Sequence, residues 1–65
     1  MATLTPSLAV PIGDIRQFGP YGPEYEILAE AEPENGRRMA RIVIVRTGEE
    51  LDYPVEDILL DPEAA

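Results

Sequence analysis

The sequence has no cysteine, no histidine and no lysine, and its single serine is Ser7. Without cysteine there is no disulfide, and without cysteine or histidine a structural zinc site is strongly disfavoured. Ser-His-Asp and Cys-His catalytic arrangements are excluded, and no glycine-rich phosphate loop of the GxGxxG or GxxxxGK[ST] type occurs. We therefore predict a protein that is not an enzyme and that holds no cofactor and no metal.

Positive charge is scarce. Five basic residues, all arginine, face 13 acidic residues, which gives a net charge of −8. Such a balance repels nucleic-acid phosphates and anionic membrane surfaces, and only Arg37 and Arg38 are adjacent in the sequence. We expect no binding to nucleic acid or membranes. The acidic residues lack the spacing of a calcium-binding loop. We therefore interpret them as a solvated surface that protects a strand edge from aggregation.

Long apolar runs are also missing. The amino-terminal run Leu8-Ala9-Val10 is interrupted by Pro6 and Pro11, no basic residue precedes it, and no segment approaches the ~20 apolar residues of a membrane span. The sequence predicts a cytoplasmic protein with a flexible arm at residues 1–9, one β domain at residues 10–62 and a short tail at residues 63–65. A chain of 65 residues without a covalent staple makes self-association or a partner protein a reasonable expectation.

Two hairpins are indicated by turn chemistry. Asn35-Gly36 favours a type I′ turn, which pairs Ile27 with Ile44 and Glu30 with Arg41. Gly48-Glu49 favours a type II′ turn, which pairs Ile44 with Tyr53. Both turns place the same large side chains on one core face: Ile27, Ile42, Ile44, Leu51 and Tyr53.

Short strands at residues 10–18, 25–32, 38–47, 50–54 and 58–60, with one helical turn before the last, predict an all-β fold. The expected architecture is a small five-stranded SH3-like barrel containing an antiparallel meander. The alternative is an open three- to four-stranded antiparallel sheet that is completed by dimerisation.

The opposite face of the meander supplies a candidate protein-contact patch. One side of a predicted strand carries Met39, Val43 and Val45. The predicted pairing places Leu28 across from Val43, and glutamates surround the group. An apolar patch with a charged rim is typical of an interface, unless the first strand covers it. Tyr21 is an additional candidate contact, because it lies between two Gly-Pro steps that stiffen the loop. We predict a non-catalytic protein-interaction or regulatory module that binds a basic partner, or alternatively an accessory homodimer without an external ligand.

Three blocks carry a resemblance to a family of short uncharacterised bacterial proteins: FGPYGPEYEIL at residues 18–28, TGEELDYP at residues 47–54 and LLDPEA at residues 59–64. The chain is similar to that family over about half of its ordered length. The resemblance implies a free-standing bacterial protein and assigns no catalytic or binding residue.

Overall fold

The structure, a computed structural model, describes residues 9–64. It is mostly β: four antiparallel strands in sequence order form a curled half-barrel sheet, followed by one short helix. The elements are β1 (Ile15–Gln17), β2 (Glu24–Glu34), β3 (Arg37–Ile44), β4 (Glu50–Pro54) and α1 (Val55–Leu60). An all-β sheet was expected, and the open four-stranded alternative fits. The five-stranded SH3-like barrel is not confirmed, and of the predicted arm only Ala9 lies among the described residues.

The first hairpin turns where its sequence predicts. Asn35 and Gly36 both have positive φ, at 52° and 76°, as a type I′ turn requires, and Glu34 lies opposite Arg37. Beyond the turn, however, the register shifts twice by one residue. The first shift includes Pro33, which has no N–H to donate to the ladder, and the second leaves Leu28 without an opposite residue.

These two bulges make the predicted pairing of Ile27 with Ile44 wrong. Ile27 lies opposite Ile42, and Tyr25 lies opposite Ile44. A single one-residue shift would turn the inward side chains of β2 to the outer side of the sheet. The second shift returns the side chains beyond it to the inner side. Ile27 and Ile42 therefore still share the buried face, as the sequence predicts.

The second hairpin has a longer loop than predicted. Residues 45–48 form the connection, the Ile44 N–H donates to the Glu49 carbonyl oxygen at 2.8 Å, and the Gly48 N–H donates to the Ile44 carbonyl oxygen at 2.7 Å. Gly48 adopts a positive φ of 76°, but it ends a four-residue loop instead of opening a two-residue turn. Leu51 consequently pairs with Ile42, and Tyr53 with Ala40 instead of Ile44.

The predicted strand at residues 58–60 is wrong, because these residues belong to α1. Val55 and Ile58 are three residues apart, so a helix places both on one side, where both are buried. After α1 the chain returns along the outer edge of β1. Arg16 forms an isolated bridge with Glu63, and the Ala64 N–H donates to the Ile15 carbonyl oxygen at 2.9 Å.

The core lies between the concave face of the sheet and α1. Its buried members are Tyr25, Ile27, Ala40, Ile42, Val55 and Ile58, with Val10, Phe18, Leu51, Tyr53 and Leu59 packed against them. Ile44 is half-buried and lies outside this cluster. Within residues 9–64 no helix has the length and apolar character needed to cross a bilayer.

Candidate functional site

The loop between β1 and β2 is held in one shape by its own backbone. The Phe18 N–H donates to the Pro23 carbonyl oxygen at 3.1 Å, and Gln17 Nε2 donates to the Pro20 carbonyl oxygen at 2.8 Å. A Cβ at Gly22 would collide with the carbonyl oxygen of Phe18, so only glycine fits there. This closed loop presents Tyr21 with 96% of its surface exposed.

A surface depression of about 450 Å³ lies between this loop and the β3–β4 loop. The Val45 N–H donates to the Glu24 carbonyl oxygen at 3.0 Å, which joins the two sides. We call the depression the loop cleft, and its lining residues are Gln17, Tyr21, Gly22, Pro23, Glu24, Val45 and Arg46. Tyr21 and the half-exposed Val45 supply apolar surface, while Glu24 and Arg46 supply one charge of each sign.

Arg46 differs from the other arginines of the described chain. The other four form ion pairs: Arg16 with Asp14 at 3.4 Å, Arg37 with Glu56 at 2.6 Å, Arg38 with Glu30 at 3.2 Å, and Arg41 with Asp52 at 2.7 Å. Glu30 therefore pairs with Arg38, and the predicted partner Arg41 is wrong. Within residues 9–64 no ion pair of Arg46 is formed, so its charge remains available at the loop cleft.

The five candidate contact residues do not form one patch. Tyr21 and Val45 meet at the loop cleft. Leu28 is 36% exposed at the bulge of β2, and Val43 is half-buried on β3. Met39 is only 7% exposed, which removes it from any contact surface of the folded chain.

Sequence reasoning did not assign Glu24 and Arg46 to a site. A signal was present, since Arg46 lies two residues before Gly48 in a hairpin loop and Glu24 follows the second Gly-Pro step. The sequence did not show that the longer β3–β4 loop places Arg46 at the same depression as Tyr21.

A second polar cluster lies where α1 ends. The hydroxyls of Tyr25 and Tyr53 both donate to Asp61 Oδ2, at 2.7 and 3.1 Å. The Phe18 ring packs on both tyrosines, with ring centroids 4.4 Å from Tyr25 and 5.1 Å from Tyr53. Arg16 Nη1 donates to the carbonyl oxygens of Ile58 and Asp61 at 3.1 and 3.2 Å, which satisfies acceptors that the helix end leaves free.

The electrostatics of this cluster indicate a structural role. Burial, followed by the hydrogen bond to Asp61, raises the pKa of Tyr53 to about 12 and raises the pKa of Tyr25 further above its ordinary value. Both hydroxyls therefore stay protonated and donate to Asp61, so neither acts as a phenolate nucleophile or base near neutral pH. The hydrogen bonds of this cluster hold the chain after α1 against the sheet.

The described part of the chain, residues 9–64, also contains no group of three or more acidic side chains arranged to hold a metal ion. Several of its carboxylates, among them Glu30, Asp52 and Glu56, pair with arginines instead. The loop cleft is thus the feature of the described surface that combines exposed apolar area with an available charge.

Comparison with protein families finds a matching family model. The model of a family of unknown function (DUF5397) matches residues 2–65, nearly the whole chain. The chain belongs to this family. Membership agrees with the resemblance to an uncharacterised family, while the three sequence blocks and the bacterial origin remain predictions. No curated protein matches the sequence.

Proposed function

We propose that this DUF5397 protein is a non-catalytic protein-interaction module and that the loop cleft is its contact surface. The observation that carries the proposal is Tyr21, which is 96% exposed on a loop closed by its own hydrogen bonds. A large aromatic side chain on a stiff loop loses little conformational entropy when it binds. Tyrosine and arginine are also the residue types enriched among the strongest contacts of protein interfaces.

The chemistry of the loop cleft supports binding over catalysis. Its polar lining side chains are Gln17, Tyr21, Glu24 and Arg46. These offer no nucleophile paired with a base, which covalent catalysis requires. The depression is partly open to solvent, whereas enzymes commonly enclose the reacting groups and exclude water.

The proposal also includes the finer fold. We infer an SH3-like arrangement in which residues 62–64 stand in for the fifth strand. The support is the bridge between Arg16 and Glu63 and the hydrogen bond from the Gln17 N–H to the Pro62 carbonyl oxygen at 3.0 Å. This returning segment fixes β1, from which the loop carrying Tyr21 departs.

Site-specific photocrosslinking tests the contact surface. A photoreactive phenylalanine analogue replaces Tyr21 in one sample and Leu60 in the matched control, since Leu60 is 83% exposed on α1 and does not line the loop cleft. We expect a discrete crosslinked product from position 21, identified by mass spectrometry, and none from position 60. Excess unlabelled wild type should suppress the product, while excess Arg46→Ala protein should suppress it less. Equal products from both positions, or none from position 21, would contradict the proposal.

One observation favours a second candidate, an accessory homodimer without an external ligand. The loop cleft carries both a cation, Arg46, and an anion, Glu24, within a chain of net charge −8. A surface with one charge of each sign is complementary to a copy of itself.

A further inference from the structure

We propose that the partner of the loop cleft is a second copy of this chain, in a two-fold dimer where Arg46 of each copy pairs with Glu24 of the other. This inference rests on the proposed function, because it names the partner of the same contact surface. Tyr21 and Val45 form the apolar centre of the interface.

The first argument is the symmetry of the charges. In a two-fold interface, if residue i contacts residue j of the other copy, then j contacts i in return. A surface that carries one cation and one anion beside an apolar centre therefore forms two identical ion pairs. Glu24 and Arg46 are both exposed, both line the loop cleft, and neither forms an ion pair within the described residues.

The second argument is the charge of the whole chain. Two copies with a net charge of −8 each repel one another when they approach through acidic surfaces. The hairpin end of the sheet, for example, carries the exposed Glu32 and Glu34, and the arginine opposite Glu34, Arg37, is already paired with Glu56. The charged residues of the loop cleft, Glu24 and Arg46, balance each other. Electrostatics therefore favours contact through this surface over contact through the acidic ones.

The size of the surface sets the expected strength. Seven residues line the loop cleft, whereas a standard stable interface uses about 20–30 residues a side. The dimer should therefore be reversible, with a dissociation constant of the order of 100 µM. Its population must be measured over a range of protein concentration.

Sedimentation equilibrium on the purified full chain, from about 10 µM to about 1 mM, tests the proposal. We expect the wild-type mass to rise from the 7.2 kDa of one chain toward twice that value. Arg46→Glu and Glu24→Arg should each lower the association at least tenfold, because each places two like charges at both symmetry-related contacts. An equimolar mixture of the two variants should restore the dimer, since each contact then regains one charge of each sign.

The two variants also separate specific pairing from general repulsion. Arg46→Glu changes the net charge by −2, from −8 to −10, and Glu24→Arg changes it by +2, from −8 to −6. Repulsion alone would make Glu24→Arg associate more tightly than wild type, whereas paired contacts make it associate less. Glu34→Arg is the matched control, because it makes the same charge change at the opposite end of β2 and should dimerise at least as well as wild type.

A wild-type chain that stays monomeric at about 1 mM, or a variant mixture that fails to associate, would overturn the dimer. If either variant does not fold, amide chemical shifts of the wild type decide: concentration-dependent shifts at Tyr21 and Val45 support the dimer, and their absence overturns it. A monomer that still crosslinks another protein from position 21 would overturn the dimer alone. Loss of both results would overturn the proposed function.

Discussion

Asp61 is the residue on which three parts of the structure converge. It accepts hydrogen bonds from the hydroxyls of Tyr25 on β2 and Tyr53 on β4, and from the Gly19 N–H at 3.4 Å. A buried hydroxyl without a partner is costly, so one carboxylate at this position satisfies two hydroxyls. Because Gly19 starts the loop that carries Tyr21, Asp61 also connects the end of α1 to the loop cleft.

This cluster predicts a loss of stability at high pH. The pKa of Tyr53 rises from its ordinary 10.0 to about 12 in the folded chain, so the folded chain keeps a proton that the unfolded chain releases. The stabilisation is complete below pH 10 and is lost as the pH rises through about 12. We expect the melting temperature to fall over this interval, and to fall less steeply in Tyr53→Phe. Tyr21→Phe, which removes an exposed tyrosine outside the cluster, should follow the wild-type profile; a Tyr53→Phe profile identical to wild type would contradict the prediction.

At the scale of elements, the two hairpins show that a residue can keep its predicted side of the sheet when its predicted cross-strand partner is wrong. The predicted register of β2 on β3 is wrong by two residues beside Ile27, and that of β3 on β4 is wrong by four. Both errors are even, so the residues outside the segment between the two bulges of β2 keep the side of the sheet that the sequence predicts. Between the two bulges of β2 the facing is reversed, and there Glu30 reaches the side of Ala40, where it meets Arg38.

The observed register predicts a larger loss of stability at Ile42 than at Ile44, whereas the register expected from the two-residue turns buries both residues alike. Ile42 is fully buried in the core, whereas Ile44 is half-buried outside it. Ile42→Ala should therefore lower the free energy of unfolding by about 2–5 kcal/mol, and Ile44→Ala by less than about 2 kcal/mol. Urea denaturation measures both. If Ile42→Ala does not fold, Ile42→Val should cost about 0.5–1.5 kcal/mol and still exceed Ile44→Val; equal losses at the two positions would favour the two-residue-turn pairing.

At the scale of the whole molecule, charge and size act together. Six residues form the buried cluster, and the chain has no disulfide to add to it. The sequence carries 13 acidic residues, and four arginines of the described chain are committed to ion pairs. The exposed pairs of Arg37, Arg38 and Arg41 contribute little to stability, and the excess of acidic over basic residues leaves the surface acidic.

An acidic surface predicts no affinity for nucleic acid. Only Arg46 is available at the loop cleft, and one cation cannot replace the several phosphate contacts that nucleic-acid binding needs. We expect no change in the fluorescence anisotropy of labelled single-stranded RNA at physiological salt with about 10 µM protein. Glu24→Arg should behave in the same way, because it adds only one further cation. Saturable binding by wild type would show that the net charge is a poor guide here.

The sequence by itself determined the features that depend on neighbouring residues. Asn35-Gly36 fixed the first turn because its backbone has positive φ at both positions, and alternation along β2 and β3 placed Ile27 and Ile42 on the buried face.

Tertiary structure decided what depends on distant contacts. β2 has one bulge that includes Pro33 and a second at Leu28, so the pairing of Ile27 could not be counted from the turn. Residues 58–60 belong to a helix, and in that helix Ile58 packs into the core formed with distant strands. Likewise, Arg46 and Tyr21 line one depression although they lie on two separate connections, and the β3–β4 connection is a four-residue loop, longer than local chemistry predicts.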